Sequence, residues 1–101
     1  MLKPKNFSFD ALKGTIYDFE VKGDVLPMHW HREGLSHITV VARGSFLAKG
    51  PNWEKNVKAG DMIDWPAYQK HEFIALEDDG RIVNISKSGV ESVNEYGEPP
   101  Q

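Results

Sequence analysis

Residues 23–44 read GDVLPMHWHREGLSHITVVARG, residues 60–75 read GDMIDWPAYQKHEFIA, and together they contain every histidine of this 101-residue chain. The four histidines are His29, His31, His37 and His71. Neutral imidazole is the commonest side-chain ligand for transition metals in proteins. A chain that places all of its imidazoles in two short, strand-like segments therefore predicts a metal site rather than a solvated surface.

Strand periodicity brings these side chains towards one point. His29 and His31 are two residues apart, so they point to the same face of a strand. His37 begins a segment that alternates in the same way, and His71 shares its face with Phe73. If the three strands belong to one curled sheet, all four imidazoles converge inside it. A nitrogen-rich set suits Zn, Cu, Fe or Ni rather than Mg or Ca.

The first stretch resembles the first motif of the cupin family, G-x5-H-x-H-x3–4-E-x6-G. Gly23, His29, His31 and Gly44 fall on this pattern. The family glutamate is expected seven residues before the closing glycine, and that position is His37. The spacing from His31 to His37 is one residue longer than the usual pattern.

The second stretch resembles the second cupin motif, G-x5-P-x-G-x2-H-x3-N. Gly60, Pro66 and His71 match it in phase, whereas Tyr68 replaces the middle glycine and Ala75 replaces the asparagine. Two motifs in the right order are far more specific than one, and together they span about half of the chain, residues 23–75. The resemblance implies a small single-domain cupin, which is an all-β double-stranded β-helix or jelly-roll barrel.

The resemblance also implies a bound divalent transition metal (Fe, Mn, Ni, Cu or Zn) held by the four histidines, an all-histidine set that some small cupins with this pattern use. Without the glutamate the metal keeps its full positive charge, which favours anionic substrates or deprotonated hydroxyls. Glu33 is the alternative fourth ligand because it shares strand parity with His29 and His31. Gly34 follows it and indicates a turn, so strand alternation favours His37.

The rest of the chain consists of short alternating segments between Gly and Pro turns. In GTIYDFEV (residues 14–21), Tyr17 and Phe19 lie on one side, and SHITVVAR (residues 36–43) and RIVNIS (residues 81–86) are further strands. No repeat, heptad or long helical pattern is present. This organisation predicts an all-β barrel or sandwich.

The two ends of the chain are expected to differ from the barrel, within one domain that spans residues 1–101. Residues 1–13 are predicted to be an N-terminal arm or an edge strand. Residues 87–101 lose periodicity and gain polar side chains, so they are predicted to be a loosely held tail.

Composition limits the partners. Twelve basic and fifteen acidic residues give a net charge of −3, which argues against nucleic acid or an anionic membrane. No cysteine is present, so disulfides and thiolate chemistry are excluded. The first residues lack an apolar signal region, and no stretch approaches the roughly 20 apolar residues of a membrane span. We expect a cytoplasmic protein with a small-molecule ligand, and a homodimer because a small barrel has sheet edges to protect.

Four further side chains are candidates for the site. Tyr68 lies just before a ligand and is predicted to be a hydrogen-bond donor or general acid, although it can equally shield the loop. Phe73, Tyr17 and Phe19 are predicted to line a substrate pocket on the inner face. The simpler interpretation of such aromatics in a small barrel is that they fill its core.

Three classes of function fit this pattern. Four protein ligands on a six-coordinate metal leave two positions for a substrate and dioxygen, which favours an oxygenase acting on a small oxygenated organic molecule. The alternatives are a non-redox isomerase or lyase, with Tyr68 or Glu33 moving a proton, and a non-catalytic binding or sensing module. The cupin fold alone does not choose between them.

Overall fold

The structure, a computed structural model, describes residues 1–10, 12–32, 37–86 and 93–100. Within these ranges the regular structure consists of nine β-strands. The strands are β1 (Leu2–Phe9), β2 (Leu12–Phe19), β3 (Val25–His29), β4 (His37–Arg43), β5 (Ser45–Gly50), β6 (Trp53–Lys58), β7 (Met62–Trp65), β8 (His71–Ala75) and β9 (Gly80–Ser86). No helix among the described residues is long and apolar enough to cross a membrane.

The strands form two antiparallel sheets that face each other. One sheet has the order β1-β2-β9-β4-β7, and the other has the order β3-β8-β5-β6. β1 pairs with β2 along its whole length, so the N-terminal residues form an edge strand. The predicted all-β fold, a double-stranded β-helix, is confirmed.

Alternation of apolar side chains produces the core between the sheets. Along β8 and β9 every second residue is buried, as strand periodicity requires. Phe19, Phe46, Phe73 and Ile82 are fully buried in this core. The rings of Phe19 and Phe46 meet edge to face with centroids 4.8 Å apart, a favoured arrangement for aromatic pairs.

Glycine allows the tight turn between β4 and β5. Gly44 has a φ of +86°, a backbone conformation that side chains with a Cβ rarely adopt. A Cβ there would also lie 3.1 Å from the Cα of Gly80. The closing glycine of the first motif is therefore required by backbone geometry.

The C-terminal segment is held against the barrel where the structure describes it. The backbone of Glu95 exchanges two hydrogen bonds with that of Trp30, at 2.9 and 3.0 Å. The Trp30 indole N–H donates to the carbonyl of Gly97 at 3.2 Å, and Arg32 forms an ion pair with Glu95 at 2.7 Å. Residues 93–100 thus differ from the predicted loosely held tail, because these tertiary contacts hold a segment that has no strand periodicity. Residues 87–92 of the predicted tail lie outside the described residues.

Candidate metal centre

Three histidines from two neighbouring strands meet inside the barrel. His29 at the end of β3 lies opposite His71 at the start of β8, with ring centroids 4.3 Å apart. His31 follows β3, and its ring lies 5.1 Å from that of His29. Each of the three offers one potential ligand atom, and these atoms all lie within 4.8 Å of one another. The side chains are 1%, 3% and 0% exposed for His29, His31 and His71.

An irregularity in β3 aims the first ligand inward. The pairing of β3 with β8 shifts register between Leu26 and His29. Both of these residues are buried although they are three apart, which a regular strand does not allow. Pro27 lies within the shift and has no N–H to donate to a ladder, so the bulge costs little hydrogen bonding.

Backbone carbonyls fix the tautomer of all three rings. The Nδ1 atom lies 2.7 Å from the Pro27 carbonyl oxygen in His29 and 2.8 Å from that of Gln69 in His71. In His31 the corresponding carbonyl is that of Val93, at 3.2 Å. A carbonyl oxygen only accepts, so each Nδ1 carries the proton and each Nε2 presents a lone pair. This second hydrogen bond is the usual support of a metal-ligating histidine.

The lone pairs point into a buried space. The Nε2 atoms of His29 and His71 are buried and have no hydrogen-bond partner among the described residues. Buried polar atoms without a partner are rare in folded proteins, because desolvation is then uncompensated. A bound cation supplies the missing partner, so these residues fit a metal ion.

Electrostatics keep the rings neutral, as metal ligation requires. Burial lowers the pKa of His29 to about 4 and that of His71 to about 2, because the charged imidazolium would lose its hydration. Burial likewise lowers the pKa of His37 to about 3, with the nearby His31 and His29 acting in the same direction. The pKa of His31 is also lowered by burial.

His37 lies beside this cluster. Its ring stacks on that of His31 with centroids 3.8 Å apart and an angle of 27° between the planes. It is not among the three residues whose ligand atoms lie within 4.8 Å of one another. Its role as the fourth ligand stays a prediction, and the alternative ligand Glu33 lies outside the described residues.

Trp65 packs against the histidine cluster through His71. Its ring stacks on His71 with centroids 3.8 Å apart and 7° between the planes. The Trp65 indole N–H donates to Thr39 Oγ1 at 2.8 Å. The indole is therefore fixed at both its face and its polar edge, which holds the orientation of the His71 ring.

Solved structures share this architecture. KdgF from Halomonas sp. matches with a TM-score of 0.73 and 22% identity over 86% of this chain and 80% of its own. A cupin-2 domain containing protein from Shewanella frigidimarina matches with a TM-score of 0.65 and 17% identity over 82% and 78%. The chain has the cupin fold. Oxalate decarboxylase from Bacillus subtilis also matches, with a TM-score of 0.70 and 20% identity over 83% of this chain and 23% of that one. No protein-family model and no curated protein sequence matches the chain.

The cupin barrel contains a polar cavity that one of the histidines, His37, lines. Its volume is about 240 Å³, and polar side chains dominate its wall. The lining residues are Asn6, Gly14, Thr15, Tyr17, His37, Asn84, Val93 and Asn94. The Tyr17 hydroxyl accepts a hydrogen bond from Asn94 Nδ2 at 2.9 Å. Burial raises the pKa of Tyr17 above its usual value, so the phenol stays protonated at neutral pH.

The predicted pocket residues divide between this cavity and the core. Tyr17 lines the cavity, whereas Phe19 and Phe73 are fully buried in the hydrophobic core and do not line it. Phe73 shares strand parity with His71, but it lies one layer deeper in the barrel, packed against Phe46. For these two phenylalanines the simpler core interpretation describes their position.

Tyr68 lies outside the cavity. It precedes β8 in a turn with a φ of +67°, and its N–H donates to the His31 carbonyl at 2.8 Å. Its ring packs against Trp30 with centroids 5.9 Å apart, and it lines a surface groove with Lys70 and Glu98. The predicted acid role of Tyr68 stays a prediction, and Tyr68 is not among the residues that line the polar cavity.

Sequence reasoning missed the polar wall itself. Asn84 and Ser86 are buried on β9, on the same face as Ile82. Their alternation with outward Val83 and Ile85 was visible in RIVNIS and would have identified polar residues at inward positions. Asn94 carried no such pattern, because it reaches the cavity from an irregular segment.

Proposed function

We propose that this chain is a metal-dependent oxygenase that acts on a small oxygenated organic molecule. The observation that carries the proposal is the convergence of three neutral histidines, each with Nδ1 bonded to a backbone carbonyl and Nε2 directed into a buried space beside a polar cavity. Such a site is built to hold a cation and to admit a compound next to it.

His29, His31 and His71 would hold the metal, and His37 would be a fourth ligand. Imidazole suits Zn, Cu, Fe and Ni, and Mn is supported by likeness of fold to Bacillus subtilis oxalate decarboxylase, which has Mn(II) centres. When bound, a redox-active ion would supply Lewis acidity and electrons for dioxygen chemistry. The neutral ligand set leaves its positive charge uncompensated by protein carboxylates, which favours a substrate oxygen that bears negative charge.

The cavity supports an oxygenase over a proton-shuttling isomerase. Among the described residues that line it, none is an aspartate, glutamate or lysine, and burial lowers the pKa of His37 to about 3, which makes this imidazole a weak base. Tyr17 is held in its protonated form, so it can donate a hydrogen bond to a substrate oxygen and orient it. The described wall would therefore bind and orient the substrate, and the metal would supply the reactivity.

Oxygen consumption tests this proposal. The protein is freed of metal with a chelator, reloaded separately with Fe(II), Mn(II), Ni(II), Cu(II) and Zn(II), and supplied with a panel of diols, hydroxyketones and diketones in an oxygen electrode. We expect uptake that requires a redox-active metal and is lost in a His71→Gln variant. Turnover that survives with Zn(II) under anaerobic conditions would indicate the isomerase or lyase alternative. A retained ligand with neither uptake nor product would indicate a binding module.

A further inference from the structure

The polar cavity begins where the histidine cluster ends. His37 contributes to both, because its ring stacks on that of His31 and also lines the cavity. The wall also includes Tyr17 on β2 and Asn94 in the C-terminal segment. A compound that reached the metal from this side would leave its remaining atoms against these groups.

A buried chain of hydrogen bonds fixes the direction of one amide in the wall. An indole N–H can only donate, so the bond from Trp65 to Thr39 Oγ1 makes the Thr39 hydroxyl an acceptor. The hydroxyl hydrogen is then directed to Asn84 Oδ1, at 2.6 Å. Asn84 is 4% exposed and Thr39 is fully buried. With its oxygen bonded to Thr39, the group that Asn84 can offer to the cavity that it lines is its NH2 donor.

The remaining wall carries both donors and acceptors but no full charge. Thr15 donates to Asn6 at 2.9 Å, and Asn94 donates to the Tyr17 hydroxyl at the same distance. None of the described lining residues is a lysine, arginine, aspartate or glutamate. A carboxylate placed against this wall, away from the metal, would lose hydration without gaining a cationic side chain as partner, which is costly. A hydroxyl group can donate and accept, and it matches amides and hydroxyls on the wall.

Size narrows the class of ligand. The volume of about 240 Å³ corresponds to about eight water molecules at roughly 30 Å³ each. We propose that the cavity binds a small, uncharged, polyhydroxylated compound of about four or five carbons, with an oxygen accepting from Asn84. This proposal names the substrate class of the site. It depends on the proposed function in one respect, namely that one end of the compound binds the metal.

The test uses the metal-free protein, so that failure of this binding proposal is separate from failure of the proposed oxygenase. Threitol and tartrate share a four-carbon dihydroxy skeleton and differ in having hydroxymethyl or carboxylate ends. Each is titrated while the side-chain amide resonances of Asn84 and Asn94 are followed by NMR. We expect saturable shifts with threitol and binding of tartrate that is at least about tenfold weaker. Equal or tighter binding of tartrate, or no saturable shift with threitol, overturns the proposal.

Variants test the assigned roles. We expect Asn84→Ala to weaken threitol binding about tenfold or more, because a hydrogen bond is lost. Thr39→Val should weaken it as well by releasing the amide, and Thr39→Ser should restore it. Asn56→Ala removes an exposed amide on β6 and should change nothing. Unchanged binding in both Asn84→Ala and Thr39→Val would remove these residues from the site. If a variant does not fold, the comparison of threitol with tartrate in the unaltered protein decides.

Discussion

The metal-free protein should lose stability steeply between pH 7 and pH 5. The folded chain holds His29, His37 and His71 at pKa values of about 4, 3 and 2, whereas in the unfolded chain a histidine has a pKa near 6.5. The unfolded state therefore binds more protons throughout this interval, and the free energy of unfolding falls as the pH falls. The contribution is fully present above pH 6.5 and is lost as the pH approaches the folded values.

The magnitude follows from linkage. Between pH 7 and pH 5 each of these three histidines should remove about 1.9 kcal/mol, since its folded pKa lies below the interval. Together they remove about 5 to 6 kcal/mol, which is comparable to the whole stability of a typical small domain. The lowered pKa of His31 acts in the same direction. The carboxyl of Asp18, whose pKa is held down by its hydrogen bond from Arg81, titrates below this interval.

Urea unfolding of the chelator-treated protein, followed by tryptophan fluorescence at several pH values, measures this loss. A His71→Gln variant keeps a polar side chain that does not titrate, so its loss between pH 7 and pH 5 should be smaller by about one third. Adding a metal should move the loss to lower pH, because protons then compete with the ion for Nε2. A free energy of unfolding that does not change between pH 7 and pH 5 would refute the claim that the histidines are buried and neutral. The same holds if the free energy of unfolding of the His71→Gln variant depends on pH as steeply as that of the unaltered protein.

Three further outcomes follow from single features of the structure. Glu95→Pro removes the N–H that binds the C-terminal segment to Trp30, and it thereby loosens the hydrogen bond between the Val93 carbonyl and His31. Metal affinity measured by calorimetry should therefore fall about 10- to 100-fold. Glu98→Ala, which loses only an exposed ion pair, is the control, and equal affinities in the two variants would contradict this coupling. Gly80→Ala should lower the free energy of unfolding by about 1 to 3 kcal/mol, because the added Cβ would lie 2.6 Å from Phe46 Cζ. An unchanged midpoint of urea unfolding would argue against this contact. Light scattering should give the mass of a homodimer, as the unpaired edge of β1 suggests, and a monomer at high protein concentration would exclude it.

Much of the fold was readable because its determinants are local. The closing Gly44 marks the turn between β4 and β5, and alternation in residues 36–43 and 81–86 predicts the buried strands β4 and β9. Phe73 shows the limit of this reasoning, because parity gives the face of a strand but not the depth in a curled sheet. Nothing local shows that Glu95 docks on Trp30, since both its hydrogen bonds depend on a partner 65 residues away. Trp30 is itself buried, and its indole N–H donates to the carbonyl of Gly97 in that segment.

Elemental analysis of the protein, purified without added metal beside His71→Gln and His37→Ala variants, tests the central claim most directly. The account predicts near-stoichiometric transition metal that is lost in His71→Gln, and the His37→Ala content shows whether the fourth imidazole is a ligand. Protein that carries no metal and takes none up on titration with Fe(II), Mn(II), Ni(II), Cu(II) or Zn(II) would contradict it.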